Sequence, residues 1–290
     1  MSRSVTLGLI QMSMSADKEE NLSKSLKMIE EASEGGAQIL CLPELFATHY
    51  FPQDKKSKGT KPETIPGPTS NFLSRAARKN KVVIVGGSIF ETHEGRNYNS
   101  SVVFDQEGRM LGKYRKVHVP EDEAFYEKDY FSPGKSYKVF KTPFAKIGVL
   151  ICFDQWYPEP ARIERLLGAD IVFYPTAIGT VRGIEQVEGN WKEAWEGVQR
   201  GHAISNSLIV AAVNRVGKEK EMRFWGCSFV YDQFGKLLAS GDASKEQIII
   251  VECDLGLGRQ VEQGWGFLKN RNPETYSKLT QITKNNEEKN

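Results

Sequence analysis

Six apolar runs of strand length alternate with helix-like segments along the chain, and this alternation restricts the possible folds more than any other feature. The runs lie at 5–12, 37–44, 81–90, 146–153, 170–177 and 207–214. Apolar runs bounded by turn residues are typical of buried strands, and single helices between them predict crossover connections. The sequence therefore predicts a layered α/β core.

The helical segments have recognisable starts and stops. The clearest one begins after Asp17, a predicted N-cap followed by acidic residues, and ends at the glycine pair 35–36. Further helices are predicted to begin near Pro68, Pro158 and Asn190.

Two similar segments indicate that the chain consists of related halves. Both VVFDQEGRMLGKY (102–114) and SFVYDQFGKLLASG (228–241) place an Asp-Gln-x-Gly turn between apolar arms, which predicts two hairpins. In parallel, LGLIQM with its helix and ILCLPE resemble IGVLICF with its helix and IVFYPT. Two such sheets facing each other, with helices outside, would form an α-β-β-α sandwich around a pseudo-twofold axis.

Length, charge and cysteine content limit the class of protein. With 290 residues, 39% of them hydrophobic, we expect a single domain over 1–283 and a disordered polar tail at 284–290. The net charge is +2 without a basic stripe, so no nucleic-acid partner is expected. No apolar run approaches the ~18 residues that cross a membrane. The four cysteines lack zinc or disulfide spacing, so we expect reduced thiols in a cytoplasmic protein.

Cys152 stands where the apolar run GVLIC gives way to the turn segment FDQWYPE. Free cysteine is among the most buried residue types, so one interpretation is a small core residue. The other is a nucleophile held at the end of a strand. Glu44 similarly ends the run ILCLPE, where it could instead be a capping or salt-bridged acid, and Lys116 closes the first hairpin, where lysines are usually solvated.

Together these three residues could form a catalytic set. A thiol that attacks a carbonyl-type carbon needs a base, a donor for the developing oxyanion, and shelter from water. Glu44 could accept the thiol proton. Lys116 could stabilise both the thiolate and the oxyanion, so the chemistry would not require histidine.

The segments LCLPELF, YRKVHVP and GVLICFDQWYPE resemble, in this order, the motifs of the nitrilase superfamily of carbon-nitrogen hydrolases. The resemblance covers about residues 5–270. It implies an α-β-β-α sandwich, a Glu44, Lys116 and Cys152 triad, no metal or organic cofactor, and a homo-oligomer. The second glutamate of the family corresponds to Glu127, which would hold Lys116 and the attacking water; otherwise Glu127 is a surface acid beside Lys128.

The segments FYEKDYFSPG, CFDQWYPEPAR, FYPTAIG and QRGHAISN resemble family members that act on a carbamoylated diamine. The implied substrate has a ureido group at one end and an ammonium at the other. Asp154 is the predicted ammonium partner, although it could simply cap the next helix. The four positions after Cys152 are Phe, Asp, Gln and Trp, so this segment has no arginine to hold a carboxylate. The backbone N–H of Phe153 is expected to share the oxyanion with Lys116, and the predicted walls of the pocket are Tyr50, Phe125 and Trp156.

Three alternatives remain at this point. An ω-amidase or another aliphatic amidase would use the same triad with a different pocket. A Cys-His peptidase would pair Cys152 with His118 or His202, although His202 is expected to be structural. A scaffold protein with this fold would normally have lost a triad residue.

Overall fold

The apolar runs of the first half form strands of one sheet, and those of the second half form strands of another. The first sheet also contains the late strand Gln247–Asp254. The structure, a computed structural model, describes residues 4–55, 59–183 and 189–281. The strands of the first half are β1 (Ser4–Gln11), β2 (Ile39–Cys41), β3 (Val83–Val85), β4 (Ile89–His93), β5 (Arg96–Phe104) and β6 (Met110–Arg115). Those that follow are β7 (Val139–Lys141), β8 (Lys146–Val149), β9 (Ile171–Thr176), β10 (Gly179–Val181), β11 (Ile209–Asn214), β12 (Val216–Glu219), β13 (Met222–Trp225), β14 (Phe229–Tyr231), β15 (Leu237–Ser240) and β16 (Gln247–Asp254). The predicted tail at 284–290 lies outside the described residues.

The predicted helices form at their predicted starts. They are α1 (Lys18–Glu34), α2 (Pro68–Asn80), α3 (Pro158–Leu166) and α4 (Trp191–Asn206), followed by α5 (Gly256–Trp265). Asp17 caps α1 by accepting hydrogen bonds from the backbone N–H groups of Glu19 and Glu20, at 2.8 and 3.3 Å. Within the described ranges, no helix has the length and apolarity needed to cross a bilayer.

The two large sheets have the same topology, which confirms the predicted pseudo-twofold relation. The first sheet has the order β16-β1-β2-β3-β5, with β4 and β6 both paired to β5. The second has the order β7-β8-β9-β11-β14-β15. In each sheet three parallel strands are flanked by an antiparallel strand on one side and a hairpin on the other. Strands β10, β13 and β12 form a separate small sheet.

The strands of the first sheet are buried on both faces because alternate side chains serve two different cores. Ile39 and Cys41 point into the core that both sheets share, where they join Ile147 and Phe173 of the second sheet. Leu40 points the other way, into the core beneath α1 and α2. Helices α3 and α4 cover the second sheet. The layer order is therefore α-β-β-α, as the sequence predicts.

Several strands are shorter than the apolar runs that contain them. The predicted strand at 81–90 is two strands, because Gly87 takes a φ of +54° and redirects the chain between β3 and β4. Strand β2 ends before Pro43, which has no N–H for the ladder. These early ends matter for function, because Glu44 and Cys152 lie just beyond them.

Candidate active site

The ends of three strands bring Glu44, Lys116 and Cys152 together. Glu44 follows β2, Lys116 follows β6 directly, and Cys152 follows β8. Their exposed fractions are 0%, 1% and 6%, so all three lie out of bulk water. Glu127, which is also fully buried, reaches the same place from the short 3-10 helix Glu127–Asp129.

The ammonium of Lys116 is held between two carboxylates. Its Nζ lies 2.9 Å from Oε1 of Glu44, and 2.8 and 2.7 Å from the two oxygens of Glu127. An ammonium has three N–H donors, so these contacts can engage all of them. A substrate oxygen can therefore reach Lys116 only by replacing one contact.

Glu44 keeps one carboxylate oxygen available. Its Oε1 accepts from Lys116 and, at 2.7 Å, from Nδ2 of Asn99 on β5. Its Oε2 is buried and has no hydrogen-bond partner among the residues that the structure describes. A buried acceptor without a partner is unfavourable, so this oxygen is suited to accept a proton from a bound group.

Cys152 stands at a sharp turn in the backbone. Its φ is +43°, a left-handed conformation that costs energy for a residue with a side chain. Cys152 also begins the 3-10 helix Cys152–Trp156, and the first N–H groups of a helix lack partners within it. Phe153 is the second residue of this helix, so its N–H can face the position of a reacting oxygen. The Sγ atom lies 3.9 Å from the carbonyl oxygen of Ala177.

Burial determines the ionisation of the site. It raises the pKa of the Cys152 thiol well above its usual value, and the carboxylate of Glu44 adds to this, while Lys116 opposes it. The predicted stabilisation of the thiolate by Lys116 is therefore outweighed, and the thiol needs a base. Burial also raises the pKa of Glu127, to about 7, against the opposing effect of Lys116. Burial alone would lower the pKa of Lys116, but Glu127 and Glu44 raise it.

A cavity of about 370 Å³ opens onto Cys152 and Glu127. Its walls are mainly apolar and include Phe125, Phe153 and Trp156, three of the residues expected to contact substrate. The remaining lining residues are Pro120, Asp122, Gln155, Ile178, Trp191 and Ala194. The cavity therefore combines the thiol, apolar side chains and the carboxylate of Asp122 in one wall.

The assignment of Asp154 to the ammonium is wrong. Its side chain is completely buried and is not part of the cavity wall. Its oxygens accept hydrogen bonds from the Tyr114 hydroxyl at 2.7 Å, the Ile151 N–H at 2.9 Å and the His118 N–H at 3.0 Å. Asp154 thus ties the strand end that carries Lys116 to the turn that carries Cys152.

Tyr50 is also not a wall of the cavity. Its ring is buried, and its hydroxyl donates to Oε1 of Glu127 at 2.7 Å, so it lies behind the glutamate and not beside the substrate. Sequence reasoning missed Asn99 and also Arg215, which is completely buried. Arg215 directly follows β11, just as Glu44 and Cys152 stand at the ends of their apolar runs. A polar residue at the end of an apolar run is therefore the sequence pattern that could have identified it.

The histidines do not support a Cys-His peptidase. His118 pairs its Nδ1 with Asp154 at 2.8 Å and stacks on Tyr157, while His202 contacts the backbone oxygen of Gln155 at 2.8 Å. Neither lines the cavity. Across the part of the chain that the structure describes, no group of three or more His, Cys, Asp or Glu side chains is placed to hold a metal ion.

Known proteins are similar to this chain in sequence. Residues 6–263 match the carbon-nitrogen hydrolase family. An N-carbamoylputrescine amidase of Arabidopsis thaliana is 37% identical over 96% of this chain and 95% of its own. A citrullinase of Francisella tularensis is 36% identical, over 95% and 98%. An omega-amidase of Xenopus tropicalis is 34% identical, over 93% and 96%.

A solved structure supports the same relation. The crystal structure of a carbon-nitrogen hydrolase from Helicobacter pylori superimposes with a TM-score of 0.90 at 35% identity, and covers 96% of this chain and 99% of that one. The chain therefore belongs to the carbon-nitrogen hydrolase family of the nitrilase superfamily and is a hydrolase that acts on amide-type bonds.

Proposed function

We propose that the protein hydrolyses N-carbamoylputrescine to putrescine, carbon dioxide and ammonia. The observation that carries the proposal is the wall of the cavity, which combines aromatic rings with the carboxylates of Asp122 and Glu127. None of the described residues that line it is a lysine, arginine or histidine. Aromatic faces and a carboxylate suit an alkyl chain that ends in an ammonium.

We assign to Asp122 the contact with the substrate ammonium that the sequence predicts for Asp154. It lies in an exposed turn at the mouth of the cavity, where its Oδ1 accepts, among the described residues, only the backbone N–H of Glu123, at 2.8 Å. An adjoining depression shares Asp122 and is lined by three more acids and one lysine: Glu121, Glu123, Asp129 and Lys55. The negative field at the mouth favours the approach of a cation.

The same wall disfavours two other substrates suggested by the relatives. Citrulline and the ω-amide α-ketoglutaramate both carry a carboxylate, which needs a cationic or multiple N–H partner when it is desolvated. The described part of the cavity lining offers no cationic side chain. N-carbamoylputrescine, which has a ureido group and an ammonium but no carboxylate, therefore fits better than either.

The acylation step follows from the positions of the three polar groups. Sγ of Cys152 attacks the ureido carbon while the free Oε2 of Glu44 takes the thiol proton. The carbonyl oxygen becomes an oxyanion between the N–H of Phe153 and the ammonium of Lys116, which exchanges one contact with Glu127 for it. The C–NH₂ bond then breaks, and the proton held by Glu44 leaves with the ammonia.

The second step returns the enzyme to its starting state. Water, deprotonated by Glu44 and oriented by Glu127, attacks the carbamoyl-thioenzyme. The C–S bond breaks, and the thiol recovers its proton from Glu44. The released carbamic acid separates into carbon dioxide and putrescine without further help from the protein.

Steady-state kinetics on four substrates tests the proposal. The set is N-carbamoylputrescine, the uncharged analogue butylurea, citrulline and α-ketoglutaramate. We expect the highest kcat/KM with N-carbamoylputrescine. A higher kcat/KM for either compound that carries a carboxylate would refute the assignment.

The role of Asp122 is tested separately. A charge-assisted hydrogen bond contributes about 1.5 to 3 kcal/mol, and exposure weakens it, so Asp122→Asn should raise KM for N-carbamoylputrescine about fivefold to tenfold. KM for butylurea should stay the same. Glu123→Gln is the matched control, because it removes a neighbouring charge that does not line the cavity. Equal changes in both Asp122→Asn and Glu123→Gln would indicate only a general field effect.

A further inference from the structure

Two consecutive buried residues at the end of β11 contact the catalytic elements of both halves. Asn214 accepts from the N–H of Ile178 at 3.0 Å and donates to its carbonyl at 2.9 Å, which fixes a wall of the catalytic cavity. Arg215 points the other way, toward the first half. Its guanidinium lies against the rings of Phe224 and Tyr50, 5.1 and 5.9 Å from their centroids.

The guanidinium holds the turn that carries Glu44. Its Nη2 donates to the carbonyl oxygens of Glu44 and Leu45, at 2.7 and 3.0 Å. Leu45 has a φ of +48°, so the backbone turns sharply there and takes both carbonyls out of the strand ladder; the Leu45 carbonyl also accepts the N–H of Thr48, at 3.1 Å. On the other side of the turn, Ser88 Oγ accepts the N–H of Leu45 at 2.9 Å.

The same guanidinium reaches Glu127 through a chain of hydrogen bonds. Its Nη1 donates to Oε1 of Glu219 at 2.6 Å. The Oε2 of Glu219 accepts the backbone N–H of Tyr50 at 2.6 Å, and the Tyr50 hydroxyl donates to Glu127 at 2.7 Å. Arg215 and Glu219 are both buried, so this ion pair is not weakened by solvent.

We propose that Arg215 and Glu219 are a positioning ion pair that holds Glu44 and Glu127 in their reactive orientations around Lys116. Neither residue touches the cavity, so both act through the residues they hold. The proposal rests on the Glu44, Lys116 and Cys152 chemistry proposed above and is independent of the substrate's charged end.

The reaction needs this support because Glu44 must transfer protons in both steps. A carboxylate that shifts by about 1 Å from its productive position can cost about 10²-fold in rate. Glu127 must remain ionised to hold Lys116, and the Tyr50 hydroxyl helps by lowering the pKa that burial raises to about 7. The titratable groups that face Glu127 are Lys116, Glu44, Tyr50 and Cys152.

The test compares Arg215→Lys, Glu219→Gln and Tyr50→Phe in the full-length protein. Lysine keeps the charge of Arg215 but cannot span Glu44, Leu45 and Glu219 at once. For Arg215→Lys and Glu219→Gln we expect kcat per titrated active site to fall about 10²-fold with KM nearly unchanged. In Tyr50→Phe the acid limb of the kcat profile should move to higher pH, because Glu127 loses a hydrogen bond that lowers its pKa.

Asp105→Asn is the matched control, since it removes the buried carboxylate of an ion pair with Arg109 in the β5–β6 turn. It should lower stability and leave the pH profile in place. If Arg215→Lys does not fold, Glu219→Gln and Tyr50→Phe still decide the question. Wild-type kcat in Glu219→Gln together with an unmoved pH profile in Tyr50→Phe would overturn the proposal, whereas activity in Cys152→Ala would refute the proposed chemistry itself.

Discussion

At the scale of single residues, the site is short of positive charge. Two buried carboxylates, Glu44 and Glu127, share the one ammonium of Lys116, and the thiol lies beside them. Burial is the main reason why the pKa of both Glu127 and Cys152 is raised, and the neighbouring carboxylate of Glu44 adds to it. The resting enzyme therefore holds a thiol, and reactivity depends on a nearby base and not on a preformed thiolate.

We expect Cys152 to be the only essential cysteine. Cys41, Cys227 and Cys253 lie outside the catalytic cavity, and burial raises the pKa of each of them. Cys152→Ala should lose all activity, and the three other cysteine-to-alanine variants should keep it. Modification by iodoacetamide, followed by mass spectrometry, should remove activity in proportion to labelling of Cys152. Inactivation that instead followed labelling of Cys227 would contradict the assignment.

At the scale of elements, short turns bring together catalytic residues that are far apart in the sequence. The 3-10 helix Cys152–Trp156 carries the nucleophile and also Asp154, which binds the segment around Lys116. An asparagine at 154 would place an amide NH₂ against the N–H of either Ile151 or His118. Two hydrogen-bond donors would then face each other in a buried position, and neither would have an acceptor.

Asp154→Asn should therefore reduce kcat by the same factor for N-carbamoylputrescine and for butylurea. A buried polar group without a partner costs about 1 to 3 kcal/mol, so the melting temperature should also fall. Kinetics on both substrates and a thermal melt measure the two effects. A loss confined to the KM of the cationic substrate would restore Asp154 as the ammonium partner.

Helix α3 contains a buried acid that links stability to pH. Glu164 packs on Gly148 of β8, and its Oε2 has no hydrogen-bond partner in the described part of the chain. Burial raises the pKa of Glu164 from 4.5 to about 8. Because the pKa of Glu164 is higher in the folded than in the unfolded state, its protonation favours folding. This contribution to the free energy of unfolding is fully present below pH 4.5 and is lost as the pH rises through about 8. Glu164→Gln should therefore flatten the decline in melting temperature between pH 5 and 8, as measured by calorimetry. The exposed Glu159→Gln on the same helix is the control, and an unchanged decline in Glu164→Gln would refute this account.

At the scale of the whole molecule, the two halves share one hydrophobic core. Residues of the first sheet, such as Leu7 and Val83, lie in the same cluster as Ile147 and Val210 of the second. Neither sheet can bury its inner face without the other. The catalytic site has the same dependence, since Glu44 and Lys116 come from one half and Cys152 and Arg215 from the other.

We therefore expect the chain to unfold as one unit. Far-ultraviolet circular dichroism, which reports on both sheets, and tryptophan fluorescence, which reports mainly on the second half, should give the same midpoint in urea. All five tryptophans lie in the second half of the chain, at positions 156, 191, 195, 225 and 265. Two separated transitions would show that each half has a stability of its own.

The layer order, the hairpins and the positions of Glu44, Lys116 and Cys152 could all be predicted from the sequence, because they depend on local patterns. Hydrophobic period, turn residues and a polar residue at the end of an apolar run are all readable within about ten positions. The resemblance to a family then gave the three residues a common chemistry.

Which polar groups face the cavity, and which form hydrogen bonds with each other, could be learned only from the tertiary structure. Asp154 and Asp122 are both acids near catalytic segments, and spacing along the chain does not tell which one is enclosed by hydrogen bonds and which is open to the substrate. Arg215 lies 171 residues from Glu44 in sequence and 2.7 Å from its carbonyl in space. Contacts of that kind arise when two sheets pack face to face, and no local pattern records them.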